Sequence, residues 1–424
     1  MDYNSEVLQE KAKRGGFLWG LVTGTLFSAL FAAIVCLIVT TMGPQEEETS
    51  RKDKDKDKSS TKQEAVVFDG DMESKLDAIE EILYDYYYLD EIDPSVLEDG
   101  IYHGMVDALG DPYSVYYSPE ELQELLDQTE GIYYGIGAYV GLDTVTGYPK
   151  IISPIPGSPA EEVDLRPDDI IYEVNGESVY GMDLNSVVAM IKGEEGTYVT
   201  LTIYRSTEPD YLYLDVERRQ VETPSVENEM FENGMAYIQI MEFSETTVDQ
   251  FADALAVAKE SGMKGLILDL RANPGGSLSS VVDIGRMLLP KGLIVYTEDK
   301  YGQRYEYSCN GRREFKLPLV VLVDGNSASA SEVLAGAIKD YEIGTLVGTT
   351  TFGKGIVQQI ISVGDGSAVK VTVSSYYSPK GTNIHGIGIE PDIVCEFDAE
   401  AYYGEEEYDN QLEFAKEVLA DMID

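Results

Sequence analysis

Ser329 and Lys354 stand 25 positions apart, the first at the mouth of an apolar helical pattern and the second in the turn Thr351-Phe352-Gly353-Lys354-Gly355. A hydroxyl and an amine can serve as nucleophile and base if they meet and if the amine sheds its charge. The chain has 424 residues and two histidines, His103 and His385, so a Ser-His-Asp arrangement has few candidates and lysine is weighed as the base.

An ordinary lysine, with a pKa of about 10.4, is charged at neutral pH and takes no proton. It becomes a base when apolar neighbours desolvate it. Phe352 and the run Ile356-Val357-Gln358-Gln359-Ile360-Ile361 supply such a wall, and the run reads as a strand with the lysine at its mouth. If the extended conformation begins at the lysine, Lys354, Ile356 and Gln358 project to one face, and Gln358 can hold the amine in line. Ser329 precedes Ala330-Ser331-Glu332-Val333-Leu334-Ala335-Gly336-Ala337-Ile338, a helix whose free amides favour developing negative charge. Each residue also has a plainer reading. Ser329-x-x-Glu332 is a capping box, and a lone turn lysine is ordinarily solvated. Two rival chemistries are weaker. Gly348 to Lys354 nearly spells a phosphate-binding loop, but Gly355 stands where Ser or Thr is needed and a strand follows. His385 lies far along the chain in Ile384-His385-Gly386-Ile387 and would have to pair with Ser329 from there.

The elements that position these groups read as an α/β core. Apolar runs at Gly265 to Leu270, Leu319 to Val323 and Val369 to Val373 alternate with helical stretches around Val248 to Ala258 and Ser279 to Leu289. The first run ends in Asn273-Pro274-Gly275-Gly276, a tight turn whose glycines let an amide approach a carbonyl. Asp269 and Arg271 alternate on the same run and read as structural partners. Upstream, the spacing of Leu76, Ile79, Ile82, Leu83 and Tyr86 marks an amphipathic helix. Downstream, Leu412, Phe414, Val418, Leu419 and Met422 mark a terminal helix for packing or self-contact.

These motifs, with Pro318 to Val323 and Gly386-Ile387-Gly388-Ile389-Glu390-Pro391-Asp392-Ile393, resemble the carboxyl-terminal processing (tail-specific) proteases over most of the chain. The resemblance implies a serine endopeptidase that works through an acyl-enzyme without metal or organic cofactor. It implies Ser329 as nucleophile, Lys354 as general base and Gln358 as the residue orienting the lysine. The oxyanion hole it implies is made by the amides of Gly276 and Ala330. Residues from Gly131 to Arg205 look like a PDZ domain, with the carboxylate-capturing loop near Tyr134-Gly135-Ile136-Gly137. Asp168 departs from that pattern where glycine is usual, although Asp tolerates positive φ. Arg166 matches an arginine that in some relatives couples peptide binding to activation; a plain surface role is the alternative. The implied substrates are proteins with exposed apolar C-termini, and a non-catalytic peptide-binding scaffold on the same fold is the competing function.

The uncharged stretch Phe17 to Met42 would run about 39 Å as a helix, enough to span a bilayer core. Lys11, Lys13 and Arg14 precede it, which places the N-terminus in the cytoplasm and the catalytic part outside. A cleaved signal peptide is the alternative. The expected organisation is an α/β (α+β) multidomain chain: cytoplasmic N-terminus 1–16, transmembrane anchor 17–42, flexible linker 43–70, helical region 71–130, PDZ-like domain 131–206, serine protease core 207–400 and C-terminal helix 401–424. The helical region reads equally as a homodimer contact or as a subdomain packed on the core. With 77 acidic and 31 basic residues the net charge is −46, which excludes nucleic acid as a partner. Cys309 and Cys395 lie outside the apolar span and could pair in an oxidising compartment.

Overall fold

The computed structural model describes residues 70–89, 91–143, 146–404 and 408–423. The expected anchor, Phe17 to Met42, lies outside the described residues. Among the described residues no helix is long and apolar enough to cross a membrane. Helix α1 (Gly70–Tyr86) belongs to a unit ending at Tyr88, and none of its residues is buried; Ile79 and Ile82 of its apolar stripe are exposed.

The second unit starts at Leu89. It opens with α2 (Pro94–Asp107), β1 (Val115–Tyr117) and α3 (Pro119–Glu130). Asp93 caps α2 and Ser118 caps α3, each followed by a proline whose fixed φ suits the first helical turn. The PDZ-like part comprises β2 (Ile132–Gly135), β3 (Ala138–Leu142), β4 (Pro149–Pro154), α4 (Pro159–Glu162), β5 (Ile170–Val174), β6 (Glu177–Ser178), α5 (Leu184–Ile191), β7 (Tyr198–Tyr204) and β8 (Leu212–Glu217). Its sheet runs β3-β4-β5-β7-β8, with β3 at the open edge. Ile151, Ile171, Val187, Leu201 and Ile203 fill its core. Asp168 does adopt positive φ, 67°.

The larger core carries β9 (Arg219–Glu222), which pairs with β2, then β10 (Val226–Met230), β11 (Met235–Ile240), α6 (Thr247–Glu260), β12 (Gly265–Asp269), α7 (Leu278–Leu288), β13 (Gly292–Asp299), β14 (Arg304–Cys309) and β15 (Leu319–Val323). It closes with α8 (Ala330–Tyr341), β16 (Thr345–Gly348), β17 (Ile356–Ser362), β18 (Ala368–Tyr377), β19 (Ile393–Val394), α9 (Ala399–Tyr402) and α10 (Asn410–Ile423). The main sheet runs β10-β11-β12-β15-β16-β19 and is parallel from β11 onward.

Both faces of that sheet are covered at its centre, where β12 and β15 are buried at every position. Leu266, Leu268, Val321 and Val323 face α6, α7 and α8. The alternate residues Ile267, Val320 and Leu322 face α10, against Ala415 and Leu419. The terminal helix is thus the second layer of the core. Arg271 ties it down: half-buried, it pairs with Asp269 at 2.6 Å and Asp409 at 2.8 Å.

The run at Val369 to Val373 is not in the parallel sheet; it lies in β18 of a second, antiparallel sheet with β1, β13, β14 and β17. Cys309 and Cys395 are free thiols that pack in the clusters on opposite faces of the parallel sheet.

Candidate active site

Parallel pairing of β12 with β15 brings their carboxyl ends side by side, and the two loops that follow build the site. The first is Asn273 to Gly276. Asn273 is fully buried; its amide donates to Ile240 O at 2.8 Å, and its side-chain oxygen accepts Gly275 N at 2.8 Å. The second is Asp324 to Ala330. Ser327 Oγ donates to Leu270 O at 2.7 Å and Ser331 Oγ to Asn273 O at 3.0 Å, so these flanking serines stitch one loop to the other. Ser329, between them, makes no side-chain bond of this kind and is left half-buried.

Its backbone is strained. Ser329 has φ 53° and ψ −111°, outside the extended region that ordinary N-caps occupy. The capping box of Ser329 and Glu332 is present, with Ser329 N–H donating to Glu332 at 2.9 Å, but on a backbone that ordinary caps do not adopt. Gly275 explains the tight approach: a Cβ there would stand 2.7 Å from Ser329 Cβ and 2.9 Å from Ala330 N. The amides of Gly276 and Ala330 donate to no protein group among the described residues.

Ser329, Lys354, Gln358, Gly276 and Ala330 line one cavity of about 400 Å³. His385 does not line it. No hydrogen bond joins Ser329 Oγ to Lys354 Nζ; the amine sits 4.6 Å from the centre of the Tyr113 ring. Burial pushes the Lys354 pKa down, the nearby Lys370 charge pushes it further, and Asp111 opposes both. The wall expected from Phe352 is not there, since that ring is 56% exposed. Tyr113, from the loop between α2 and β1, covers the amine instead.

Gln358 also differs from expectation. Strand β17 starts at Ile356 rather than at the lysine, and its register with β18 shifts between Val357 and Gln358. The glutamine still lines the cavity, but its amide donates to Thr372 Oγ1 at 3.3 Å, not to the lysine. Asp111, which bonds Ser114 Oγ at 2.7 Å, stands behind Thr372. Burial pushes the Asp111 carboxyl up, and the hydrogen bonds from Ser114, Thr372 and the Tyr113 amide outweigh it and hold it below the usual range.

Three residues carry the geometry without having been singled out in the sequence. Glu332, 1% exposed, accepts from Ser329 N, Thr351 Oγ1, Gly353 N and Lys354 N at 2.5 to 2.9 Å. The buried hydroxyl of Tyr376 contacts the carbonyls of both Ser329, at 3.0 Å, and Lys354. Glu242 lines the cavity, and burial pushes its carboxyl up. Its charge, with that of Glu227, reaches Tyr139 on β3, whose phenol is pushed up first by burial and then by these carboxylates.

In the loop before β3, Gly137 has φ 78° and leaves no room for a Cβ, which would lie 2.3 Å from Ser158 Cβ. The Ile136 and Gly137 carbonyls accept from Ala160 N and Ile155 N, while their amides stay unpaired among the described residues. Tyr134 O accepts from Gly193 N, and Gly135 is buried on β2. Arg166 is elsewhere: it is exposed, paired with Asp164 at 2.6 Å, and lines neither that loop nor the cavity.

A serine on a strained helix entry, free amides beside it and a PDZ-like sheet define a serine peptidase with a peptide-binding domain. Family comparison agrees: residues 234–395 match peptidase family S41, 150–205 a PDZ domain and 30–121 the activating protease CtpB N-terminal domain. The chain is 39% identical to the carboxy-terminal processing protease CtpA of Bacillus subtilis over 320 residues, 75% of this chain and 68% of the relative. Against CtpB of the same organism the identity is 36% over 332 residues, 77% and 69% of the two chains. Among solved structures, the photosystem II D1 C-terminal processing protease overlaps 76% of this chain and 87% of its own at 31% identity and a TM-score of 0.45. This chain belongs to the carboxy-terminal processing proteases of peptidase family S41.

Proposed function

We propose that the chain is a membrane-anchored endopeptidase that cuts exported proteins near their C-terminal tails through a Ser329/Lys354 dyad. The observation that carries this reading is the single cavity holding a strained serine, a partly desolvated lysine and two unpaired amides. Lys354 leaves the Tyr113 ring and takes the Ser329 proton as Oγ adds to the scissile carbonyl carbon. The oxygen's new charge meets the amides of Gly276 and Ala330. When the C–N bond breaks, the lysine passes its proton to the leaving amine and the acyl group stays on Ser329. Water, deprotonated by the same amine, then releases the acid and restores the serine. Gln358 steadies the amine once it turns away from Thr372.

The tail adds as a strand to the open edge of β3, and its carboxylate meets the free amides of Ile136 and Gly137. The unburied stripe of α1 supports self-association of region 71–130. Phe17 to Met42 anchors the chain with its catalytic part outside the cytoplasm, on the charge pattern of the sequence.

The test compares wild type with Ser329→Ala and Lys354→Ala on an unfolded substrate bearing an apolar terminus. Equal cleavage by all three sinks the dyad, and added chelator is expected to change nothing. Carbonate washing of membranes and external protease treatment test the anchor: release by the wash, or protection of the catalytic part in intact cells, would overturn it.

A further inference from the structure

A second cation shares the cavity. Lys370 and Tyr376 sit six residues apart on β18, on either side of a bulge at Val373, and both line the cavity. Lys370 Nζ donates to Tyr117 Oη at 2.6 Å and lies 5.1 Å from that ring. A phenol takes one of the three N–H groups of an ammonium, and two remain for a guest.

The missing partner is informative. This chain carries 77 acidic residues against 31 basic ones, and the half-buried lysines outside the cavity all find carboxylates: Lys150 pairs with Asp168, Lys339 with Asp392 and Lys416 with Glu413. Lys370 has no ion pair among the described residues. The nearby carboxylate of Asp111 is turned to Ser114 and the Tyr113 amide. A half-buried ammonium in a cleft of so acidic a protein is a vacancy of charge that a guest anion fills.

Its place in the cavity sets which part of the guest it meets. Lys354 Nζ lies over the ring of Tyr113 and Lys370 Nζ is bound to Tyr117, two tyrosines of one short segment, so both amines lie along the cavity wall that this segment covers. The base hands its proton to the leaving amine, and the residues C-terminal to the cut therefore run along that side.

We propose that Lys370 is a carboxylate-binding specificity residue for the leaving segment of the substrate. The inference rests on the dyad reading above, because the dyad assigns the leaving side. The carboxylate is either the chain end of a short tail or an Asp or Glu side chain within it, and both offer the same bidentate acceptor.

The experiment uses the full-length protein and two pairs of otherwise identical peptides with an apolar tail. One pair has a free or amidated C-terminus a few residues beyond the cut; the other has Glu or Gln just beyond the cut and an amidated end. The readout is the ratio of kcat/KM within each pair, which cancels any effect of Lys370 on Lys354 because both peptides meet the same base. Wild type is expected to prefer the carboxylate member of at least one pair by about tenfold, the order of a charge-assisted hydrogen bond. The pair that shows it identifies the source. Lys370→Gln should bring the ratio to about one, Lys370→Arg should keep it and Lys370→Glu should invert it. A preference arising at the PDZ loop would survive Lys370→Gln. An undiminished ratio in that variant, or no preference in an active wild type, overturns the proposal while leaving the dyad standing. Cleavage by Ser329→Ala at the wild-type rate removes the dyad, and this proposal with it.

Discussion

Ser329 and Lys354 donate their backbone amides to the same oxygen, Oε2 of Glu332, at 2.9 and 2.8 Å. The other oxygen takes Thr351 Oγ1 and Gly353 N. One buried carboxylate thus fixes the spacing of two loops that belong to different parts of the sheet. Removing it orphans buried donors at about 1 to 3 kcal/mol each, so Glu332→Ala should lose well over 3 kcal/mol in denaturant unfolding. Glu332→Gln keeps an acceptor of the same shape but sets an NH2 group against other donors. It should fold and lose about 10²-fold in kcat through misplacement of the two loops. Unchanged turnover in the Gln variant would reduce Glu332 to a helix cap.

The base should report its surroundings in the pH profile. On the proposed dyad, activity should rise with pH as Lys354 loses its proton; burial followed by Lys370 holds its pKa below the ordinary lysine value, against Asp111. Lys370→Gln removes one depressing influence and should move the rising limb of kcat/KM to higher pH. Asp111→Asn removes the opposing charge and should move it to lower pH. Shifts in the same direction, or none, would show that a different group titrates.

The depressed lysine also costs stability, and the sign follows from proton counting. The unfolded chain titrates near 10.4, above the folded value. Between the two values the unfolded state binds more protons, so stability rises with pH, and below the folded value the cost is fully present. Lys354→Met should therefore be inactive and more stable than wild type at neutral pH. The gap should be largest below the folded pKa and narrow as pH climbs through it. Thermal melts over that range check the trend, and a gap that widens with pH contradicts it.

Much of this site was legible because chemistry and local pattern coincide. Ser329 before an apolar helix, Lys354 before a strand and Gly275-Gly276 after an apolar run each carry their role in adjacent residues. The partners that arrive from afar were not legible. Tyr113, not Phe352, covers the lysine amine, and it comes from a loop more than two hundred residues upstream whose sequence says nothing of where it docks. Gln358 was placed on the face of Lys354 and Ile356, and all three do line the cavity, but its amide goes to Thr372 on β18, a partner that the local pattern does not name. The run at Val369 to Val373 announced a strand but not its sheet, because apolar content reports burial rather than pairing. Glu332 was visible as the fourth letter of a capping box, with no sign that Thr351, Gly353 and Lys354 would converge on it.

The two glycines of the first loop should tolerate no side chain. Gly276 has φ 133°, and a Cβ there would sit 2.3 Å from Phe243 O, a backbone atom that cannot yield. Gly276→Ala must shift the loop and carry its free amide away from the developing oxyanion. Loss of one such donor costs about 10² to 10³ in kcat. The expected outcome is that fall with KM little changed, since the donor matters most in the transition state. An equal rise in KM at constant kcat would place Gly276 in ground-state binding instead.

The strain at Ser329 gives the last test. Its φ of 53° with ψ of −111° is a conformation that glycine adopts freely and other residues hold only when the surroundings impose it, at about 1 to 3 kcal/mol. Ser329→Ala keeps the Cβ and the strain, while Ser329→Gly releases it. Glycine also gains entropy in the unfolded chain, which offsets about 0.5 to 1 kcal/mol of the relief. Both variants should be inactive, and Ser329→Gly should be the more stable of the two by about 1 kcal/mol in equilibrium unfolding. A glycine variant less stable than the alanine one would mean that contacts of the Cβ, 2.7 Å from the point where a Gly275 side chain would begin, outweigh the dihedral cost. The serine would then be held by packing, and the placement of its half-buried hydroxyl would owe nothing to backbone strain.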